Sequence, residues 1–166
     1  CVSLALASST SFAREAATSG EVARAMKLLE SWRGDSRELD AARTLLTREL
    51  QANPDSAPAL REQARLLMQE GYLIGSRHEP ENLAAAEVSL DKAIALMPDD
   101  SIAYLLRARL YANMDRLEDA WAALEMARKT GADDREWLLV QAKLLSQEDR
   151  FEEAADSLGK VLKHRG

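Results

Sequence analysis

A chain of 166 residues is long enough for one domain with a sizeable core. Its 46% apolar content excludes a disordered chain, and a net charge of −6 leaves no broad basic field to hold a nucleic-acid backbone. The single cysteine, Cys1, excludes an internal disulfide and a cysteine-based zinc site, and no apolar run reaches the roughly 20 residues that a membrane-spanning helix needs.

The apolar residues are mostly Ala and Leu, which with Glu, Arg and Gln are strong helix formers; β-branched residues are sparse and aromatics make up 5%. This bias favours an all-α fold. In chain order, residues 1–13 stand apart. The apolar run Val2 to Ala7 leads to small and hydroxylated residues and then Ser11-Phe12-Ala13, whose small residues suit a signal-peptidase cleavage site. They are open to three readings: a signal-peptide remnant, a lipidated Cys1, or an N-terminal arm. The first would place the protein in the periplasm or at the cell envelope; otherwise it is expected to be cytoplasmic.

Residues 14–166 are read as one helical domain. Residues 14–36 hold a capping helix, about 21–33, with Met26, Leu29 and Trp32 on one face. Residues 37–56 hold a second helix. From there the chain repeats itself. Tyr104, Ala108 and Tyr111 are matched 34 residues later by Leu138, Ala142 and Leu145, at the i, i+4, i+7 spacing of a helical face. Leu83, Ala86, Leu90 and Ala93 are matched at the same interval by Leu117, Ala120, Leu124 and Ala127, and then by Phe151, Ala154, Leu158 and Val161. Each unit thus contains two amphipathic helices, A and B. The units run 57–100, 101–134 and 135–166, and a 10-residue insertion within Gly71–Asn82 lengthens the first. Asp115 and Asp149 each precede a Glu by three residues, which predicts capping boxes for the B helices. Pro58 and Pro80 suit early helix positions, and Gly131 suits a helix stop.

The 34-residue period, the alternation of large and small positions and the terminal Pro54 and Pro98 resemble the tetratricopeptide-repeat family. The resemblance implies a right-handed solenoid of antiparallel helix pairs. It also implies close A–B crossings at Ala64 with Ala86, Ala108 with Ala120 and Ala142 with Ala154.

In that family the A helices line a concave groove that binds other proteins. The groove positions carried over are Arg61, Arg65, Met68 and Gln69; then Leu105, Arg109 and Asn113; then Leu139 and Lys143. Four basic residues beside apolar ones suit an acidic and apolar peptide, because a guanidinium binds carboxylates bidentately. The pattern that clamps chaperone tails is absent: its positions hold Arg61, Arg65, Leu106, Glu136 and Val140.

Two further surfaces are candidates for self-association. One is the insertion tip with Tyr72, Leu73 and Ile74. The other is the last helix, where Phe151, Leu158, Val161 and Leu162 would receive the next A helix: either they pair with another chain or the native chain continues. No nucleophile–base pattern surrounds His78 or His164, and no phosphate-loop, metal or dinucleotide motif occurs. The expectation is a protein-binding scaffold without catalysis, metal or cofactor.

Overall fold

The computed structural model describes residues 19–72 and 78–163. The readings made for residues 1–13, for Leu73 and Ile74 and for His164 lie outside the described residues.

Among the described residues there are eight α-helices: α1 (Gly20–Ser31), α2 (Ser36–Ala52), α3 (Ala57–Glu70), α4 (Pro80–Leu96), α5 (Ser101–Asn113), α6 (Leu117–Lys129), α7 (Asp134–Gln147) and α8 (Phe151–Lys163). Consecutive helices pack as pairs: α1 with α2, α3 with α4, α5 with α6, and α7 with α8. The second helix of each pair then packs on the first helix of the next. The A helices α1, α3, α5 and α7 also touch in series, whereas no B helix touches another among the described residues. The A side is therefore the closely packed, inner side of an all-α solenoid.

Local chemistry sets the helix ends. Ser19 caps α1 by accepting from the Val22 amide, and its hydroxyl donates to the buried Glu49 at 2.5 Å. Asp133 caps α7 by accepting from the Arg135 and Glu136 amides. Pro58 and Pro80 stand in the first two positions of their helices, where no amide hydrogen is required.

The predicted capping boxes at Asp115 and Asp149 do not form. Helix α6 starts at Leu117 with Arg116 at its N-cap and no side-chain cap. Asp115 and Asp149 both have φ 59°, in the left-handed region. The amides that follow them, Arg116 and Arg150, bond back to Tyr111 and Leu145, five residues earlier, at 2.9 Å. Both aspartates thus close an A helix in a Schellman-type turn rather than opening a B helix. Asp tolerates this conformation better than most residues. Gly131, with φ 89°, closes α6 in the same way.

The core runs in two connected parts. Val22, Ala25, Leu29, Leu39, Ala42 and Leu46 of α1 and α2 pack with Ala59 and Leu66 of α3. Ala64 and Met68, on another face of α3, join the larger cluster that extends to Val161 of α8. Ala64, Ala86, Ala108 and Ala120 are fully buried in that cluster. Side chains this small let paired helix backbones approach closely. Trp137 locks α7 to the preceding pair: its indole N–H donates to the Leu124 carbonyl at 3.1 Å, and Arg128 lies over its ring.

Candidate functional site

The inner face is built from the A helices, and the structure sorts the nine groove residues into two classes. Arg61, Met68 and Leu105 are buried. The Arg61 guanidinium donates to Asp100 Oδ2 at 2.7 Å and to Glu62 Oε1 at 2.9 Å. Asp100 is also the N-cap of α5: its Oδ1 accepts from the Ile102 and Ala103 amides. Burial alone would lower the Arg61 pKa, but the charges of Asp100 and Glu62 and their hydrogen bonds outweigh it and raise it. Arg65 pairs with Glu62 at 3.0 Å and with Glu30 of α1 at 3.6 Å. The expectation that Arg61 and Arg65 present free guanidinium groups to a partner is corrected on this ground. They serve an ion network that ties α1, α3 and α5 together. Met68 and Leu105 are core residues.

Gln69 is also used internally, donating to the Leu29 carbonyl at 2.8 Å. Gln147, equivalent by repeat, donates to the Ala112 carbonyl at 3.0 Å. Asn113 occupies the same repeat position in α5 but is one methylene shorter. Its amide nitrogen lies 3.3 Å from His78 Nε2, and its carbonyl oxygen accepts from Lys143 Nζ at 2.5 Å.

His78 belongs to the neck of the insertion. Tyr72 and His78 form an isolated antiparallel bridge and stack edge-on, with ring centroids 5.3 Å apart. Below them Gly71 accepts from the Glu79 amide at 2.8 Å. The neck therefore sits against the C-terminal end of α5.

Arg109, Asn113 and Lys143 converge on this end of the inner face, with Leu139 half-buried beside the core. Arg109 donates to Glu136 at 3.0 Å. Lys143 differs: among the described residues no carboxylate pairs with it, and its partner is the neutral Asn113. Much of the side chain is exposed. Even so, desolvation of its ammonium lowers the pKa, and repulsion from Arg109 adds to that. Upstream, Ile102 is 41% exposed on the first turn of α5.

The sequence from 78 to 144 matches the family model of the tetratricopeptide repeat. Over that segment the chain is similar to tetratricopeptide repeats (TPRs). A search of the solved structures adds TTC0263, a thermophilic TPR protein of Thermus thermophilus. The match has 22% identity and a TM-score of 0.51, and covers 86% of this chain and 89% of that one. At this identity the likeness is one of fold. No curated protein matches significantly.

Among the described residues the solenoid has two other surface features outside the inner face. A cavity of about 540 Å³ opens between α6, α7 and α8, lined by Trp121, Gln141, Glu148, Arg150, Ser157 and Lys160 among others. Its polar groups largely engage one another: Trp121 donates to Glu148 at 2.8 Å, Arg150 pairs with Glu148 and Glu153, and Ser157 donates to Gln141 at 3.0 Å. That pattern braces the last repeat.

On α8, Phe151, Leu158 and Leu162 are exposed. Val161, grouped with them from the sequence, is only 6% exposed and belongs to the core. It lies on the α7-facing side of α8 with Ala154 and Ser157.

Asp100, Glu62 and Glu30, the partners of the inner-face arginines, are not among the site residues expected from the sequence. Asp100 was recognisable as an N-cap from its place before Ser101. Its pairing with Arg61, 39 residues away, depends on how the repeats stack.

Proposed function

We propose that the chain is a protein–protein interaction scaffold without intrinsic catalysis. In this reading the A-helix face receives a partner segment, and an acidic group of that segment sits between Arg109 and Lys143. One observation carries it: on this face Lys143 is the desolvated cation whose partner is a neutral amide. A carboxylate placed there would offset both its desolvation and its repulsion from Arg109. Asn113 holds the ammonium in place, and Ile102 and Leu139 supply apolar surface on the same face. Arg61 and Arg65 contribute by fixing the angle between neighbouring A helices. The leader reading of residues 1–13 goes with a periplasmic or envelope-associated scaffold, which fractionation of the host would check.

The test is capture of partners on the immobilised chain, comparing wild type with Lys143→Glu and Arg109→Glu. Both sites are at the surface, so circular dichroism should be unchanged. Reversing either charge should abolish capture, and reversing the acidic residue of the captured partner to Lys should restore it. Undiminished capture by the double variant would falsify the reading.

A further inference from the structure

The residues that line the cavity between α6, α7 and α8 have counterparts 34 positions earlier, and two of those counterparts are larger. Gln141 and Leu145 of α7 stand where α5 carries Arg107 and Tyr111. In that earlier repeat Arg116 lies over the Tyr111 ring, 4.1 Å from its centroid, and Arg107, one turn before Tyr111, pairs with Asp91 of α4. In the last repeat the two long side chains are replaced by shorter ones, and about 540 Å³ opens between the helices.

Arg150 nevertheless keeps the pose of Arg116. Each follows an aspartate at φ 59°, and each amide bonds back five residues at 2.9 Å. Each Nε donates at 2.7 Å to the carboxylate three residues on, Asp119 or Glu153. Each guanidinium also reaches a further carboxylate, Glu87 at 2.8 Å for Arg116 and Glu148 at 3.0 Å for Arg150. The pose that sets Arg116 on a ring is thus repeated at Arg150, where among the described residues no ring lies beneath the guanidinium. A guanidinium over an aromatic face is attracted by the ring's quadrupole. Trp121, in the place of Glu87, adds an aromatic wall. Its N–H is already committed to Glu148, so what it offers the cavity is its ring.

Two charges narrow the ligand further. Asp156 and Lys160 line the cavity one turn apart on α8, and their counterparts are the uncharged Ala122 and Met126. Arg150 is neutralised by Glu148 and Glu153, whereas Asp156 and Lys160 form no ion pair among the described residues. They suit an ammonium and a carboxylate that sit close together. The lining residues of α8 lie opposite Phe151, Leu158 and Leu162, so a helix seated on that other face would leave the cavity open. Its volume falls within the roughly 300–1,000 Å³ of small-molecule sites.

We propose that this cavity binds a free aromatic amino acid, with the ring between Arg150 and Leu145 beside Trp121, the ammonium at Asp156 and the carboxylate at Lys160. The site is separate from the inner face and does not depend on how that face is used.

Titration with L-phenylalanine, followed by the Trp121 indole N–H signal in ¹H–¹⁵N spectra and assigned with Trp121→Phe, should give saturable shifts. The dissociation constant should be on the order of 1 mM, as for a ligand of about a dozen non-hydrogen atoms. L-cyclohexylalanine, which keeps the ring's bulk without its π-face, should bind about 3-fold more weakly or worse. Leu145→Tyr returns a ring to the place beneath Arg150 and should weaken phenylalanine binding at least about 10-fold. Asp156→Asn should weaken phenylalanine and 2-phenylethylamine but not 3-phenylpropanoate. Lys160→Gln should weaken phenylalanine and 3-phenylpropanoate but not 2-phenylethylamine. Asp156 and Lys160 are exposed, so circular dichroism should not change in these two variants. The absence of a saturable shift up to about 20 mM phenylalanine overturns the proposal. So does equal affinity for cyclohexylalanine, and so does unchanged binding by a folded Leu145→Tyr. Should Leu145→Tyr fail to fold, the two surface variants decide, and unchanged affinities in both overturn the proposal.

Discussion

Arg61 and Lys143 occupy related faces of A helices, yet their surroundings give them opposite roles. Arg61 is enclosed by carboxylates, and its removal leaves Asp100 buried without a counter-charge and Glu62 with Arg65 alone. Breaking a buried pair from one side costs about 3–5 kcal/mol. Arg61→Ala should therefore lower the urea midpoint sharply and destabilise the chain by about that amount, whether or not a partner is bound. A loss of less than about 1 kcal/mol would mean that water enters the network freely. Lys143 is held below the ordinary lysine range by desolvation and by Arg109. Its folded pKa lies under its unfolded one, so the folded chain binds fewer protons between the two values. Stability should then rise with pH through that window and level off above the unfolded value. Arg109→Gln should raise the Lys143 pKa, followed by NMR titration of its side-chain amine. A pKa that stays put would assign the whole shift to burial and remove Arg109 from the proposed site.

At the scale of the elements, connections decide more than helix propensity. Asp115 sits at φ 59° in a turn whose geometry is repeated at Asp149. Asp115→Val should cost about 1–2 kcal/mol in chemical denaturation, since a β-branched residue fits the left-handed region poorly. Asp115→Gly should be neutral or mildly stabilising. If valine and glycine behave alike, the turn relaxes and the Schellman reading fails. Gly71 is a steric case: an added Cβ would lie 2.6 Å from Asn82 Cβ, where α3 ends and α4 begins. Gly71→Ala should cost about 1–3 kcal/mol by overpacking. These two sites also show what could be read in advance. The period placed the alanines at the crossings, because burial of a small residue is written directly in the helical pattern. Asp115 followed three residues later by Glu118 satisfied a local capping rule, but the five-residue bond back to Tyr111 took the aspartate first. Arg61 and Arg65 fell on groove positions by phase. Their burial depends on Asp100 and Glu30, which come from other repeats and leave no local trace.

At the scale of the whole molecule, each helix pair touches only its neighbours, and α3 alone belongs to both parts of the core. Such a chain is held together by nearest-neighbour interfaces and lacks a single central core, so damage at one end should stay local. Leu29 lies at 2% exposure in the part formed by α1, α2 and α3, and Leu144 lies at 0% in α7. Truncating a buried leucine to alanine costs about 2–5 kcal/mol. Leu29→Ala should speed amide hydrogen exchange across Gly20–Ser31 and Ser36–Ala52 while leaving Asp134–Gln147 protected. Leu144→Ala should do the reverse. The ion network from Glu30 through Arg65, Glu62 and Arg61 to Asp100 is a buried polar bridge across both parts of the core. Combining Arg61→Ala with Leu29→Ala should therefore confine the loss of protection to the N-terminal helices more sharply than Leu29→Ala alone. Equal loss of protection at both ends in Leu29→Ala would instead mean that the solenoid opens as one cooperative unit.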